Sequence, residues 1–242
     1  MSVAEPERRE HRWRIDAREY DRHEQRRGRR FAYETVDQRH TALVVVDMIP
    51  FFVDHNPYCR GVVPNINRLA GAVRAAGGHV AWVVPDAEAV ASVWAIEFYG
   101  FTVGARYAES GGSGPIRERL WPALDVCDGD ILAEKSAASA FFPGRSTLPD
   151  LLAERGATTV VIAGTVTNVC CESSARDAST LGYRVVMAAD ACAALDDESH
   201  NATLRTIYRS FGDVRPTDEV VVLMDSSPSV SGRAGDAPVS LA

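Results

Sequence analysis

Lysine is almost missing from this chain: Lys135 is the single lysine in 242 residues, against 25 arginines. Arginine keeps its proton under essentially all conditions and spreads the charge over a planar fork, whereas lysine is a compact point charge that can tune a neighbouring acid. Lys135 is therefore either one surviving surface lysine or a residue kept for its chemistry. Long apolar runs are missing too. No stretch approaches the roughly 18 to 20 apolar residues of a membrane-spanning helix, and the first residues show no apolar core of the signal-peptide type. The five cysteines, Cys59, Cys127, Cys170, Cys171 and Cys192, are odd in number and never spaced as CxxC. That argues against a disulfide scaffold or a zinc knuckle and for reduced thiols in a cytoplasm. A net charge of -7 and a pI near 5.4 exclude nucleic acid or an anionic membrane as the main partner. No internal repeat is visible.

What is present reads as one soluble α/β domain with two appendages. Hydrophobic residues make up 46% and charged residues 24%, the balance of an ordinary globule. Residues 1–40 hold 11 arginines and 9 acids, with both signs interleaved, as in a solvated helix laced with i,i+4 ion pairs. Residues 41–224 form the main domain. Residues 225–242, rich in Ser, Gly, Pro and Ala, read as a flexible tail.

Within the main domain, Val/Ile-rich runs alternate with helix-period segments. Strands are predicted over Thr41–Val46, His79–Val84, Ile131–Glu134, Thr158–Ala163, Arg184–Ala189 and Glu219–Met224. Helices follow at Ile66–Ala76, Thr147–Arg155 and Asn168–Leu181, the last closed by Gly182. Continuous apolar strands separated by amphipathic helices imply a three-layer αβα fold, with a six-stranded parallel sheet covered on both faces. Asp86 to Gly114 breaks the rhythm. It holds Trp94, Phe98, Tyr99, Phe101 and Tyr107 and reads as a long aromatic loop, a lid or an oligomer contact.

Three residues then stand out. Asp47 ends the first strand after a buried run, where a carboxylate is costly unless paired or used; a loop cap is the alternative. Lys135 follows the third strand. Cys170 lies six residues beyond Gly164, in strand, tight turn and helix start, where the helix N-terminus favours thiolate and free N–H groups can hold an oxyanion. The alternative for Cys170 is a small buried hydrophobe; for Cys171, about 100° around the helix, that is the expected role. With strand order 3-2-1-4-5-6 the carboxyl ends of strands one, three and four converge at a ligand-binding edge. An acid, a cation and a thiol gathered there make a nucleophile with its proton acceptor.

At these residues the sequence resembles a known family. Val44-Val-Val-Asp47-Met48, Lys135-Ser-Ala-Ala-Ser-Ala-Phe141-Phe-Pro-Gly144 and Gly164-Thr-Val-Thr-Asn-Val-Cys170-Cys-Glu-Ser-Ser-Ala-Arg-Asp177-Ala178 are similar to the isochorismatase-like cysteine hydrolases, over roughly Thr41 to Met224. The resemblance implies an Asp47-Lys135-Cys170 triad, a cis peptide at Thr165–Val166, and an oxyanion hole from the backbone N–H groups of Val166 and Cys170. It also implies a dimer or tetramer. Members of the family hydrolyse nicotinamide, N-carbamoyl amino acids, ureidoacrylate, maleamate, isochorismate and the streptothricin lactam.

Nicotinamidases hold a metal on Asp-x-His, whereas Asp54 and His55 are adjacent here, so no metal or cofactor is expected. The expected activity is hydrolysis of a C–N amide bond in a linear amide, ureide or lactam, streptothricin included, through a thioester. The alternatives are vinyl-ether hydrolysis of the isochorismatase type and a thiol-redox protein with Cys171 as resolving partner. Phe51, Phe52, Trp94, Phe98 and Phe141 are candidate substrate-pocket walls, with Asn168 a further contact. Asp86, Glu88, Glu97 and Glu109 against Arg106 favour a neutral or cationic substrate if that segment faces the pocket.

Overall fold

The computed structural model describes residues 7–86 and 93–225, with 107 and 108 by backbone only. Its elements in chain order begin with helix α1 (Ala17–Arg27), strand β1 (Thr41–Val46), α2 (Pro50–Val53), α3 (Pro57–Ala75) and β2 (His79–Pro85). Next come α4 (Val93–Tyr99), α5 (Phe101–Glu109), α6 (Ile116–Arg119), β3 (Ile131–Lys135), α7 (Leu148–Glu154) and β4 (Thr159–Thr165). A π-helical turn over Thr167–Cys171 leads into α8 (Glu172–Thr180), and β5 (Arg184–Ala193), α9 (Asp197–Ser210), β6 (Asp213–Arg215) and α10 (Thr217–Asp225) complete the fold.

The six strands form one sheet in the order β3-β2-β1-β4-β5-β6, and every pairing is parallel. All six residues of β1 are buried, as a central strand covered on both faces requires. Side chains still alternate. Leu43 and Val45 face α3 and α10 with Ile66, Leu69, Val73, Val220 and Leu223, whereas Ala42, Val44 and Val46 face α7, α8 and α9 with Leu148, Ala175, Leu204 and Ile207. The αβα sandwich thus follows from the period-2 geometry of strands in one sheet with helices on both sides.

Four expectations change. Glu219–Met224 lies within α10, and the sixth strand is Asp213–Arg215. In the Val-rich segment Val220, Leu223 and Met224 are buried while Val222 is 63% exposed. That is the i, i+3, i+4 spacing of a helix face; the real strand is too short and polar to stand out. The Asp86–Gly114 segment is largely helical, as α4 and α5, although Glu88 and its immediate neighbours lie outside the described residues. The N-terminal arm contains α1 but is not merely solvated: Glu19 and His23 are buried, and Glu19 pairs across to Arg205 on α9. The helix containing Cys170 opens as a π turn. The flexible tail expected over 225–242 lies, beyond Asp225, outside the described residues.

Candidate active site

Asp47 leaves β1 at φ 54°, the one non-glycine residue with positive φ among those described. This conformation costs an L-residue energy and clusters at functional positions. Its amide still extends the sheet ladder, donating to Val83 O at 2.8 Å. On the opposite side, Gly164 pairs in register with Val46. A Cβ at Gly164 would stand 2.1 Å from Val46 O at φ 111°, so only glycine lets β4 approach β1 here. The Thr165–Val166 peptide that follows is cis.

These strand ends bring Asp47, Lys135 and Cys170 together. Lys135 Nζ meets Asp47 Oδ2 at 2.8 Å, with side chains 4% and 1% exposed. The same ammonium donates to Ala137 O at 3.1 Å and reaches Cys170 Sγ at 3.7 Å. Asp47 Oδ1 is buried without a well-formed hydrogen bond, although interaction with the Cys170 thiol still helps hold the carboxyl pKa down.

Burial dominates the electrostatics. Desolvation raises the Asp47 pKa against the lowering pull of Lys135 and Cys170. Burial, and secondarily the Asp47 charge, push the Cys170 thiol up to about 12, with Lys135 and the Val166 N–H working the other way. Both causes oppose the thiolate that the helix start alone would favour. A helix terminus offers only partial charges, and here full desolvation and a neighbouring carboxylate outweigh it. The Val166 N–H is among the groups that lower the thiol pKa.

Other candidates are spread more widely. Phe51 and Phe52 are half-buried in α2, packed edge to face just beyond Asp47. Asn168 is exposed in the π turn. Trp94 and Phe98 stack on each other on α4, 60% and 69% exposed. Phe141 is a correction: it is fully buried, edge-on to Tyr183, and is core rather than pocket wall. Cys171 is buried with Cys192 as its neighbour, and burial raises its pKa. The cysteines are all free.

Several further groups support these residues. Thr167 Oγ1 bonds His200 Nδ1 at 2.9 Å, and His200 Nε2 bonds Ala189 O at 3.0 Å. A carbonyl only accepts, so Nε2 carries the proton and Nδ1 accepts from Thr167. Burial pushes the His200 pKa down to about 3 and keeps the ring neutral. His11 from the arm stacks on His200 at 4.1 Å and on Tyr58 at 3.9 Å. It accepts from the Ala194 amide at 3.0 Å and meets Asp197 at 2.7 Å. Ser174 on α8 accepts from the Ala140 amide at 2.9 Å, tying the segment after Lys135 to the helix after Cys170. Buried Arg119 bonds Glu134, Pro85 O and Gly111 O, bracing the strand ends beside Lys135. Thr167 and Ser174 fall within the third motif, but His11, His200 and Arg119 join them only in space, so spacing along the chain could not reveal those three.

The sequence pattern of the isochorismatase domain matches residues 41–219. The chain is 33% identical over 195 residues to the isochorismatase family protein YwoC of Bacillus subtilis, covering 76% of this chain and 94% of that protein. It is 30% identical over 203 residues to the ureidoacrylate amidohydrolase RutB of Variovorax paradoxus, covering 75% and 80%. Among solved structures, a cysteine hydrolase from Pseudomonas syringae pv. phaseolicola matches with TM-score 0.70 at 24% identity, covering 81% of this chain and 97% of that one. An N-carbamoylsarcosine amidase from Thermoplasma acidophilum matches with TM-score 0.60 at 25% identity, covering 74% and 96%.

Proposed function

The chain belongs to the isochorismatase family of hydrolases, and from that premise we propose that it is a cysteine-dependent amidohydrolase acting on a non-peptide C–N bond through a thioester. The observation that supports this reading most directly is the buried contact of Lys135 with both Asp47 Oδ2, at 2.8 Å, and Cys170 Sγ, at 3.7 Å.

With the thiol pKa near 12, free thiolate is scarce by orders of magnitude at neutral pH. Proton transfer to Asp47 therefore accompanies attack of Cys170 Sγ on the amide carbonyl. A carboxylate with a raised pKa is a better proton acceptor than an exposed one, and Lys135 keeps it ionised beforehand. The Val166 and Cys170 N–H groups receive the oxyanion. As the C–N bond breaks, Asp47 passes its proton to the leaving nitrogen, and a thioester remains. Asp47 next takes a proton from water, hydroxide adds to the thioester carbonyl, and the acid departs as the thiol is reprotonated. The net change is amide plus water to acid plus amine.

The substrate class is a linear amide, a ureide or a lactam such as that of streptothricin. Phe51, Phe52 and Asn168, close to the triad in sequence, are its first candidate contacts, and the acidic Glu97 and Glu109 favour a neutral or cationic molecule. A homodimer or homotetramer in the cytoplasm completes the reading. The exposed Trp94, Phe98 and Phe101, the last 74% exposed, would be covered by a second copy, because large apolar surfaces seldom stay open to water.

A panel of amides, ureides and lactams assayed for ammonia or amine release tests the activity. Cys170→Ala is expected to lose about 10³-fold or more in turnover while keeping its fold. Full turnover in that variant would remove the thiol from the mechanism.

A further inference from the structure

Between Arg9 and Arg14 the arm is pinned to the domain by its backbone. The Arg9 amide donates to Pro57 O at 3.0 Å, and the Arg12 and Arg14 amides donate to the side chains of Asp197 and Asn201 at 3.3 and 2.7 Å. Arg9, Arg12 and Arg14 are themselves exposed. His11, in their midst, turns inward, and its side chain is 1% exposed. The ring lies flat between Tyr58 of α3 and His200 of α9, with interplanar angles of 4° and 8°. The Ala194 amide can only donate, so Nε2 accepts from it at 3.0 Å and Nδ1 carries the proton given to Asp197 at 2.7 Å. Both ring nitrogens are thus satisfied, as burial of a polar ring requires.

These contacts lead to the turn that carries Cys170. Thr165 and Thr167 stand on either side of Val166. Thr165 Oγ1 donates to Ala193 O at 3.2 Å, and Thr167 Oγ1 donates to His200 Nδ1 at 2.9 Å. Val166 O in turn accepts from the amides of Val169 and Cys171, the neighbours of Cys170, at 3.0 and 3.2 Å. His11 meets the far partner of each threonine. Ala193 O and the Ala194 N–H belong to one planar peptide unit, so the bond to Nε2 fixes the plane whose oxygen holds Thr165. The stack fixes the ring whose Nδ1 holds Thr167. We propose that His11 is a positioning residue, which sets these two tethers and through them the placement of Val166 and Cys170. In the hydrolase reading above, on which this rests, the thiol must meet its carbonyl in a near-attack geometry, where a shift of about 1 Å can cost about 10²-fold in rate.

Backbone hydrogen exchange of the full chain, followed by peptide mass, reads the turn without reference to any substrate. His11→Ala is expected to speed exchange of peptides covering 165–171 by about tenfold or more, with β2 and β3 at the parental rate, as local opening requires. His11→Phe keeps a ring in the slot but makes neither bond, and should loosen the same peptides. Arg14→Ala keeps its backbone bond and should change nothing. On an amide that the parent cleaves, His11→Ala should lower kcat about tenfold or more with KM within about twofold, the mark of reacting groups misplaced around an intact pocket. Faster exchange spread evenly over the sheet would reduce His11 to a contributor to global stability. Parental exchange at 165–171 in either variant, or parental kcat with the turn loosened, would likewise overturn the assignment. A parent that cleaves no amide would sink the hydrolase reading alone, since exchange still decides whether His11 holds the turn.

Discussion

At the scale of single residues, the one lysine among 25 arginines is buried in a tight set of contacts. The three donors of its ammonium are directed at Asp47 Oδ2, Ala137 O and Cys170 Sγ in a space that leaves the side chain 4% exposed. A planar guanidinium is wider and cannot point three donors apart in this way. Lys135→Arg therefore keeps the charge and loses the site. Turnover should fall by about 10²-fold or more, and urea unfolding should show about 1–3 kcal/mol of overpacking. Near-parental kinetics would mean that charge alone is needed. The pH profile follows from the two raised pKa values. Asp47 must be ionised to accept a proton, so kcat/KM rises with pH through its pKa, above the ordinary carboxylate range. The thiol does not ionise until about 12, so the rate should then stay level across the neutral and moderately alkaline range. Assays over roughly pH 4 to 10 check this; a rise near 8 to 9 would instead indicate an ordinary free thiol as the active species.

At the scale of elements, the decisive piece is the strand β4, the turn after it and the helix α8. Gly164 was legible as a turn residue, but its reason was not: β4 runs so close to β1 that a methyl group would collide with Val46 O. Gly164→Ala should cost about 3 kcal/mol or more, through both the clash and the positive φ. Chemical denaturation measures that loss, and a change below about 1 kcal/mol would contradict the close approach. The π turn was not legible either, since its register depends on contacts such as Thr167 with His200 that span 33 residues. The Val-rich run at 219–224 misled for a related reason. Valine favours strands, but the surrounding core fully buries Val220, Leu223 and Met224, at helical spacing, and burial decided.

At the scale of the whole molecule, the parallel order β3-β2-β1-β4-β5-β6 reverses direction between β1 and β4, which is where open α/β sheets place their ligands. The arm adds further packing to this framework. Arg9 O lies where a Cβ on Gly61 of α3 would be 1.8 Å away, and His11 stacks between Tyr58 and His200, so residues outside the matched family region pack against the framework of the site. The exposed aromatic face of α4 and α5 is the expected assembly surface. Phe98→Glu with Phe101→Glu should lower the sedimenting mass, with secondary structure preserved; an unchanged mass would place any assembly elsewhere.

Sequence by itself determined the layered α/β class and the parallel sheet, and it singled out Asp47, Lys135 and Cys170, which the fold brings together. Those depend on local apolar runs, turn residues and rare residue types that can be read one segment at a time. Only the tertiary structure decided how strongly burial opposes ionisation of the thiol, the helical nature of the last valine run and the burial of Phe141. It alone revealed the network through His11, His200 and Thr167. Each of these depends on desolvation and on neighbours distant along the chain, and a pKa or a buried face is set by everything packed around it rather than by the residues on either side.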